Sequence, residues 1–546
     1  MLNHQTAHAG LNLTRLLQKA HAAHVKGALT QAEKLYKAIL ADNPDNFDVL
    51  HRLGMLNHQC GRPAQALRFL AAALKRDARS AEAWSNYGLV LHALGRTEEA
   101  LTSYEAGLGI EPNNVDLHNK YGIALLDLGR AQEALTSLAR SLARNPEHVE
   151  ALGNRGNALV KLNRPDEAIS SYDAASRIDG WNARLLTNRA HALRRLDRPE
   201  EALADLQKAV ALDPEYAEAQ FELGMVQLTL GDYDGWAAYE RRWATGAFAL
   251  HRRDFKSPLW TGEQSLNGRT ILLHGEQGFG DTIQFVRYIA KVARLGATAI
   301  LEVQPELVDL MAKVEGATRV IARGEKLVPF DFHCPLMSLP RACKTNAESV
   351  PADVPYIKVP AIHAAKWAGR LPAGKPLVGF CWAGRRSHHN DANRSIALTR
   401  FAPLFEIADV GFVSLQRDAS ADDRALLRSH RNVLDVVDSL RDFVDTAALI
   451  IQLDFVVSVD TAVAHLAGAL AMPVAVLLPF AADFRWLRAR NDCPWYPSAR
   501  LFRQPRFDDW ESAIEQARLR LTDLGSMSQI RFPICARMAY TQTQKT

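Results

Sequence analysis

The sequence predicts an α-solenoid of repeated helix pairs followed by an α/β region of two domains with parallel sheets. Three observations predict this fold class. A 34-residue register of small residues fills the first half, short apolar segments alternate with helical patterns after Arg252, and prolines divide the second half. The chain has 546 residues, more than one hydrophobic core usually contains, so two to four domains are expected.

Four series of residues recur every 34 positions in the first half of the chain. One series is a small residue, which we place in the first helix of each pair, where the second helix packs too closely for a large side chain. Its members are Gly54, Gly88, Gly122, Gly156, Ala190 and Gly224. Another series marks the turn between the helices, where Gly, Asn and Asp tolerate left-handed backbone. Its members are Gly27, Gly61, Gly95, Gly129, Asn163, Asp197 and Gly231. The third series is alanine, from Ala32 to Ala202, and the fourth is mostly proline, from Pro44 to Pro214.

This register resembles the tetratricopeptide repeat (TPR), including Trp84, Tyr87 and Gly88 of the third repeat. Tyr36, Tyr104 and Tyr172 occupy the large position of the second helix. We predict a repeat domain over residues 11–248, with six full repeats and an altered seventh. The aromatic segment 235–243 is interpreted as a helix that docks onto the next domain.

A column of asparagines follows the predicted concave face of the repeats. Asn86, Asn154 and Asn188 each lie two positions before the small residue of the first helix. They resemble the asparagine ladder of O-GlcNAc transferase, whose amides bind a substrate peptide backbone. An amide pairs with a peptide N–H and C=O together, so we predict protein or peptide binding in this groove. The alternative is a solvated polar surface, and Lys120 interrupts the column.

The second half alternates strand and helix patterns, which predicts parallel sheets. After a linker over residues 249–269, strands are expected at 270–274, 299–303 and 319–322, within a first half over 270–360. Prolines over 340–376 mark the boundary to a second half over 361–525. Its predicted strands are 377–381, 411–415, 433–437, 454–459 and 474–478. Residues 526–546 are predicted to be a mildly basic tail. Two Rossmann-like halves suggest the GT-B architecture of glycosyltransferases, with a site in the cleft between them.

The segment from Ser458 to Leu470 carries the most specific chemical motif. A strand ends at Asp460, and either Asp460 or Thr461 is expected to cap the helix that follows. Thr461 and His465 are four residues apart and share a helical face, beside N–H groups that suit an anion. This pattern resembles the Asp-Thr-x-x-x-His-Leu motif of the ADP-heptose:lipopolysaccharide heptosyltransferase family. The resemblance implies that Asp460, Thr461 and His465 bind the diphosphate of a nucleotide sugar. The alternative is a capped helix with a buried histidine.

The turn Gly278-Phe279-Gly280-Asp281 resembles the Gly-Asp turn of the same family, whose aspartate is the proposed catalytic base. The resemblance implies that Asp281 deprotonates the acceptor hydroxyl. A carboxylate at a helix N-terminus stays ionised because the dipole favours its charge, so a base role requires desolvation on cleft closure. The alternative is that Asp281 only caps the helix.

The donor-rich loop 381–395 follows another predicted strand. The family resemblance implies that it carries a basic residue that contacts the donor phosphates, and we assign this role to Arg394, with Ser395 beside it. Arg385 and Arg386 are alternatives. His388 and His389 are adjacent and have only Asp391 as a nearby carboxylate, so no metal site is predicted.

The resemblance implies an inverting, metal-independent glycosyltransferase that needs no cofactor besides its nucleotide-sugar donor and acts on a protein or glycan selected by the repeats. The competing interpretations are a non-catalytic scaffold and a nucleotide-sugar sensor. Composition favours neither nucleic acid nor membrane partners: the net charge is only +4, and no apolar run of about 18 residues exists. Six cysteines without a Cys-x-x-Cys pair are typical of a reducing cytoplasm.

Overall fold

The computed structural model describes residues 2–386, 388 and 390–526. Residues 527–546, which hold nearly all of the predicted basic tail, lie outside the described residues. The chain divides into two compact units, Met1–Leu193 and Arg194–Thr546. In the part of the chain that the structure describes, no helix combines the length and apolar character needed to cross a bilayer.

Thirteen α-helices follow one another through the repeat region in the described residues. They are α1 (Leu2–Val25), α2 (Leu29–Asp42), α3 (Phe47–Gln59), α4 (Pro63–Arg76), α5 (Ala81–Ala93), α6 (Thr97–Ile110), α7 (Val115–Asp127), α8 (Ala131–Arg144), α9 (Val149–Lys161), α10 (Pro165–Asp179), α11 (Ala183–Arg195), α12 (Pro199–Leu212) and α13 (Ala217–Thr229). In the first unit, helices α1 to α10 pack as consecutive antiparallel pairs, so the predicted helix-pair solenoid is confirmed.

The small residues of the register face the large ones, as the sequence predicts. A Cβ built on Gly156 would lie 2.3 Å from Cε1 of Tyr172, and one on Gly88 would lie 2.5 Å from Cε1 of Tyr104. Both tyrosine rings are fully buried. Only a residue without a side chain allows this approach of the two helices, because interiors are close-packed.

The inter-helix turns adopt the left-handed backbone that their residue types predict. Gly95 and Gly129 have φ of 73° and 75°, and the two non-glycine members of the series, Asn163 and Asp197, have φ of 61° and 52°. An arginine directly before the next helix then forms an ion pair with a glutamate in the first turn of that helix, three positions later. The pairs are Arg96–Glu99, Arg130–Glu133, Arg164–Glu167 and Arg198–Glu201.

The altered seventh repeat packs on the α/β core of the second unit, which confirms the predicted docking segment. After α13, short α14 (Gly235–Tyr239) and a 3₁₀ turn at Glu240–Ala244 precede α15 (Gly246–Ala249). The Trp236 ring contacts those of Phe285 and Phe484 edge-on, with centroids 6.0 and 5.5 Å apart. The seventh repeat and the α/β core therefore share one hydrophobic cluster.

The first sheet has four parallel strands in the order β3-β2-β1-β4. The strands are β1 (Thr270–His274), β2 (Thr298–Val303), β3 (Ala317–Ala322) and β4 (Phe332–Pro335). Its helices are α16 (Phe279–Phe285), α17 (Tyr288–Arg294), α18 (Val308–Met311) and α19 (Leu339–Ala342). The predicted strands and their parallel pairing are confirmed, while β4 was not predicted because Phe-His-Cys-Pro lacks an apolar run.

The second sheet has six parallel strands in the order β10-β9-β8-β5-β6-β7. They are β5 (Leu377–Cys381), β6 (Gly411–Ser414), β7 (Val433–Leu434), β8 (Phe455–Val459), β9 (Val474–Leu478) and β10 (Ala499–Arg503). The helices are α20 (Ala361–Ala365), α21 (Asp391–Arg394), α22 (Leu398–Phe401), α23 (Ala421–Ser429), α24 (Phe443–Ile450), α25 (Ala462–Ala469) and α26 (Trp510–Ser526). Strand order reverses between β5 and β8, and such a switch point is where open α/β sheets place their ligand sites.

Candidate functional site

Asp281 lies in the first turn of α16, just after β1. The Asp281 Oδ2 atom accepts the backbone N–H of Gly278 at 2.8 Å. Gly278 occupies the cap position of the helix and Asp281 the third helical position. The predicted helix after the glycine turn is therefore confirmed, although Asp281 is not its cap residue. One carboxylate oxygen stays available for a second partner.

Thr461 is the cap residue of α25, which decides between the two predicted candidates. The Thr461 Oγ1 atom accepts the backbone N–H of Val463 at 3.3 Å and lies 3.1 Å from Oγ of Ser458. The hydroxyl is buried beneath the carboxyl ends of β5 and β8 and lies 3.8 Å from Sγ of Cys381. Thr461 therefore fixes the strand-to-helix turn, and its hydroxyl already has protein partners.

His465 lies on α25 and faces the glycine turn of the first sheet. A Cβ built on Gly280 would lie 2.7 Å from Cδ2 of His465, so the glycine is needed for this contact. His465 Nδ1 is 3.0 Å from the Tyr496 hydroxyl, and the imidazole stacks on Trp486. Burial and the positive charge of Arg485 lower the pKa of His465 to about 3. The imidazole is therefore neutral near pH 7, with Nε2 directed toward Asp460 at 3.8 Å.

Arg485 is a functional candidate that the sequence analysis missed. One guanidinium nitrogen, Nη2, donates to Asp281 Oδ1 at 2.5 Å, and Nη1 donates to Asp483 Oδ1 at 2.7 Å. Asp281 and Arg485 are 204 residues apart in the chain. The signal was present in the segment Asp483-Phe484-Arg485-Trp486, where two opposite charges alternate with aromatic residues that are now buried.

The second sheet places two further carboxylates in this charged cluster, which we define as Asp281, Asp460, His465, Asp483 and Arg485. Burial, together with the neighbouring negative charge of Asp483, raises the pKa of Asp460 to about 6. Burial alone would raise the pKa of Asp483, but the charge and hydrogen bonds of Arg485 outweigh it and lower that pKa. Repulsion between two acids near one helix start opposes anion binding there, so a diphosphate needs an added cation or a protonated Asp460.

Arg394 and Ser395 stabilise the loop after β5. The Ser395 hydroxyl donates to Asp391 at 2.7 Å and accepts the Gly384 N–H at 2.8 Å. The Arg394 guanidinium packs on Gly384, where a Cβ would lie 2.7 Å from Nη2, and Nε is 3.7 Å from Asp391. Arg394 is close enough to lower the pKa of Asp460 electrostatically, so it borders the charged cluster. Ser387 and His389 of this loop lie outside the described residues.

A cavity of about 850 Å³ lies at the carboxyl ends of β9 and β10. It is lined on one side by the repeat turns, including Asp197 and Gly231, and on the other by Phe480, Arg488 and Arg503. No residue of the charged cluster lines it. Trp486, Trp495 and Tyr496 are buried in the core.

The three asparagines of the repeats belong to the first unit, whereas the charged cluster belongs to the second. The Asn154 amide donates to Asn119 at 2.9 Å, and the Asn188 amide donates to Asn157 at 3.0 Å. Asn86 Nδ2 is 2.9 Å from His51 Nε2. Each asparagine therefore links its repeat to the preceding one and uses part of its amide to do so.

Comparison with known families now defines the class of the first region. Tetratricopeptide-repeat family models match residues 26–87, 88–129, 120–180 and 187–249. Residues 26–249 are therefore a run of TPRs. The described residues after 249 form an α/β region with two parallel sheets.

Among curated proteins, the chain is similar to Protein FlbA of Caulobacter vibrioides, at 26% identity over 338 residues. This match covers 57% of the chain and 56% of FlbA. Human tetratricopeptide repeat protein 7A is 36% identical over 69 residues, which is 13% of the chain and 8% of that protein. The chain thus spans about half, or less, of these curated relatives.

Among solved structures, a tetratricopeptide repeat protein from Parabacteroides merdae is 20% identical, with a TM-score of 0.38. The match covers 43% of the chain and 93% of that protein.

Proposed function

We propose that this protein is a TPR-containing glycosyltransferase of GT-B architecture that transfers a sugar from a nucleotide diphosphate to a protein or glycan. One observation carries the proposal: the Gly280-Asp281 turn of the first sheet region packs against His465 of the second, whose Nε2 lies 3.8 Å from Asp460. Each segment follows the carboxyl end of a parallel strand, where α/β folds place their ligand sites. Both motifs that resemble the heptosyltransferase family therefore lie in one cluster. If they served only to cap their own helices, they would have no reason to lie together.

The proposed chemistry is an inverting displacement, and in the family resemblance it proceeds without a metal. The Asp281 carboxylate accepts the proton of the acceptor hydroxyl while that oxygen attacks the anomeric carbon of the donor sugar. The bond from the anomeric carbon to the diphosphate breaks, and the nucleoside diphosphate leaves with the electron pair. Cationic and N–H groups of the second sheet region stabilise the charge that develops on the leaving group. Arg394 is the candidate for this contact that the sequence resemblance implies.

The proposed role of the repeats is to select the acceptor. TPR superhelices commonly bind peptides or proteins on their concave face. The amides of Asn86, Asn154 and Asn188 retain unused hydrogen-bonding capacity after their inter-repeat contacts, because each amide has two N–H donors and one C=O acceptor. A peptide backbone is the ligand that such amides suit.

The test is donor turnover with UDP-, GDP- and ADP-sugars, measured as released nucleoside diphosphate. Asp281→Asn is expected to lower turnover by about 10²–10⁴-fold, because a positioned base contributes that much, while nucleotide binding is retained. Asp254→Asn is the matched control, since the Asp254 side chain is almost fully exposed. Wild-type binding of nucleotide sugars without turnover, or normal turnover by Asp281→Asn, would contradict the enzymatic assignment.

A non-catalytic nucleotide-sugar sensor or TPR scaffold is the second candidate. One observation favours it: both Asp281 oxygens are engaged, by the Gly278 N–H and by Arg485. The lone pair that each partner uses on the Asp281 carboxylate is not available to accept a proton from a substrate. The same assay separates the candidates, because a sensor binds the donor and releases no product.

A further inference from the structure

Arg485 joins the two sheet regions at the charged cluster. Its two terminal nitrogens bind different carboxylates, Asp281 from the first sheet region and Asp483 from its own loop. The third nitrogen, Nε, is buried and has no hydrogen-bond partner among the described residues. The guanidinium carbon lies 4.4 Å from the centroid of the Phe484 ring. A buried arginine with an unused donor, held by a removable carboxylate, is suited to exchange that carboxylate for another anion.

The loop that carries Arg485 has a fixed conformation. Asp483 caps the 3₁₀ turn Phe484–Trp486, and its Oδ1 accepts the Arg485 backbone N–H at 3.0 Å. Leu487 and Ala489 then adopt left-handed φ of 54° and 55°, which is strained for residues with a Cβ. Arg488 bonds to the side chain and carbonyl of Asp197. Anchors on both sides of Arg485 therefore limit where its guanidinium lies.

The charges of the cluster explain why an exchange is needed for an anionic donor. Asp281, Asp460 and Asp483 supply three carboxylates around Arg485, and Arg394 borders them. A diphosphate that approached the start of α25 would meet Asp460 and Asp483 without a cation that is free of carboxylates. A diphosphate carries more negative charge than the Asp281 carboxylate, and two of its oxygens can accept from a guanidinium in bidentate fashion.

We propose that Arg485 binds the diphosphate of the donor by exchanging Asp281 for a phosphate oxygen. This inference rests on the proposed function and specifies how the two predicted motifs act together. While Asp281 is paired with Arg485, one of its oxygens is occupied. When the phosphate takes its place, that oxygen is released and is free to accept a proton from the acceptor hydroxyl. Donor binding would thus prepare the base, and the two events would be coupled through one side chain.

The exchange makes opposite predictions for two variants of the full-length protein. We would measure the Kd of UDP, GDP and ADP by calorimetry, with the corresponding monophosphates as probes of the second phosphate. Arg485→Gln is expected to weaken diphosphate binding by about tenfold or more, the effect of losing a charge-assisted hydrogen bond. Asp281→Asn is expected to tighten it several-fold, because it removes the competing carboxylate. Monophosphate affinity should change much less in both variants.

Arg490→Gln is the matched control, because Arg490 lies on the same loop and pairs with the exposed Asp492. Arg485→Gln alone leaves the Asp281 carboxylate without its cation and could misfold for that reason. The double variant Arg485→Gln with Asp281→Asn controls for this effect, because it removes both partners of the pair. Unchanged diphosphate affinity in Asp281→Asn and in Arg485→Gln, with wild-type binding intact, would overturn the exchange and leave the proposed function standing. If the wild-type protein binds no nucleoside diphosphate, the proposed function itself fails.

Discussion

The repeat region and the α/β region hold their charges in opposite ways. In the repeats the same ion pair recurs at the start of successive helices, as in Arg96–Glu99, whose side chains are 46% and 59% exposed. At the base of the α/β region, single pairs are buried instead, as in Arg242 of the seventh repeat with Glu276 after β1, whose side chains are 0% and 2% exposed. Exposed pairs contribute little to stability, whereas breaking a buried pair is strongly destabilising.

The difference shows where each region derives its specificity. A repeat is defined by shape, because a missing side chain on one helix admits a tyrosine or leucine from the next. The α/β region is defined at its centre by charges that must be paired with one another. The repeats should therefore be sensitive to volume, and the α/β region to the loss of a charge.

The largest effect is expected for Arg242→Ala. This arginine binds Glu276 and Glu240 with ion pairs of 2.7 and 2.8 Å and donates to Ser338. Burial raises the pKa of Glu276 to about 7 even with Arg242 beside it. Loss of the arginine would leave the buried Glu276 carboxyl without its ion-pair partner. We therefore expect the free energy of unfolding to fall by about 3–5 kcal/mol. Denaturant unfolding measures it.

Two comparisons sharpen this prediction. The double variant Arg242→Met with Glu276→Met should recover much of the loss, because it removes the fully buried Glu276 together with its partner. It leaves only Glu240, to which Ser338 still donates. Arg130→Ala, in an exposed pair of the repeats, should unfold like the wild-type protein. Equal losses in Arg242→Ala and Arg130→Ala would remove the distinction between the two regions.

The next effect is expected in the repeats, from volume alone. Gly156→Val would drive a side chain into the buried Tyr172 ring, and overpacking of this kind costs up to about 3 kcal/mol. Gly153→Ala is the control on the same helix α9, where a Cβ meets nothing within 4 Å. That substitution should leave stability unchanged or raise it slightly, since Ala favours helix over Gly. Loss of helical circular dichroism on heating reports both variants.

The smallest effect is a pH dependence in the α/β region, from His465. Its folded pKa of about 3 lies below the unfolded value of about 6.5. The unfolded chain therefore binds the proton first as pH falls, and stability is lost from about pH 6.5 downward. By linkage the loss is roughly 2 kcal/mol at pH 5. Asp460 opposes it, because its raised pKa lets the folded state take up a proton below about pH 6.

The variant His465→Gln isolates the histidine contribution, because Asp460 remains in both proteins. Wild-type stability should fall more steeply between pH 7 and pH 5 than that of the variant, whatever their difference at pH 7. Parallel pH profiles would mean that the imidazole binds its proton as readily in the folded protein as in the unfolded chain, so that its pKa is not lowered by folding. The measurement is the denaturant midpoint at each pH.

Much of the fold follows from local patterns. The turn residues Asn163 and Asp197 were assigned a left-handed backbone from their place in the register, and both have it. The strand 270–274 was predicted from one apolar run and is observed with those bounds. The strand β10 was missed because two arginines interrupt the apolar residues of Ala-Arg-Leu-Phe-Arg, which also follows a proline-rich turn. Edge strands of this kind carry a weaker apolar signal than central ones.

The candidate site was predictable only in part. Each motif was found from its own residues, because a strand followed by a capped helix start has a local sequence signature. The partners of the motif residues were not found, since no local pattern marks Arg485 as the partner of Asp281. The predicted contact of Thr461 with the donor diphosphate stays a prediction. Its hydroxyl oxygen already accepts a backbone N–H of α25.

The sequence by itself determined the repeat region, because the same packing contact between neighbouring helices recurs every 34 residues and involves residues close together in the chain. It also determined the parallel α/β character of the rest. Only the tertiary structure decided which charges meet. The pairing of Asp281 with Arg485 joins residues 204 positions apart, and it depends on how two sheets pack rather than on any local pattern. Long-range contacts of this kind have no period, so they become visible only in the folded chain.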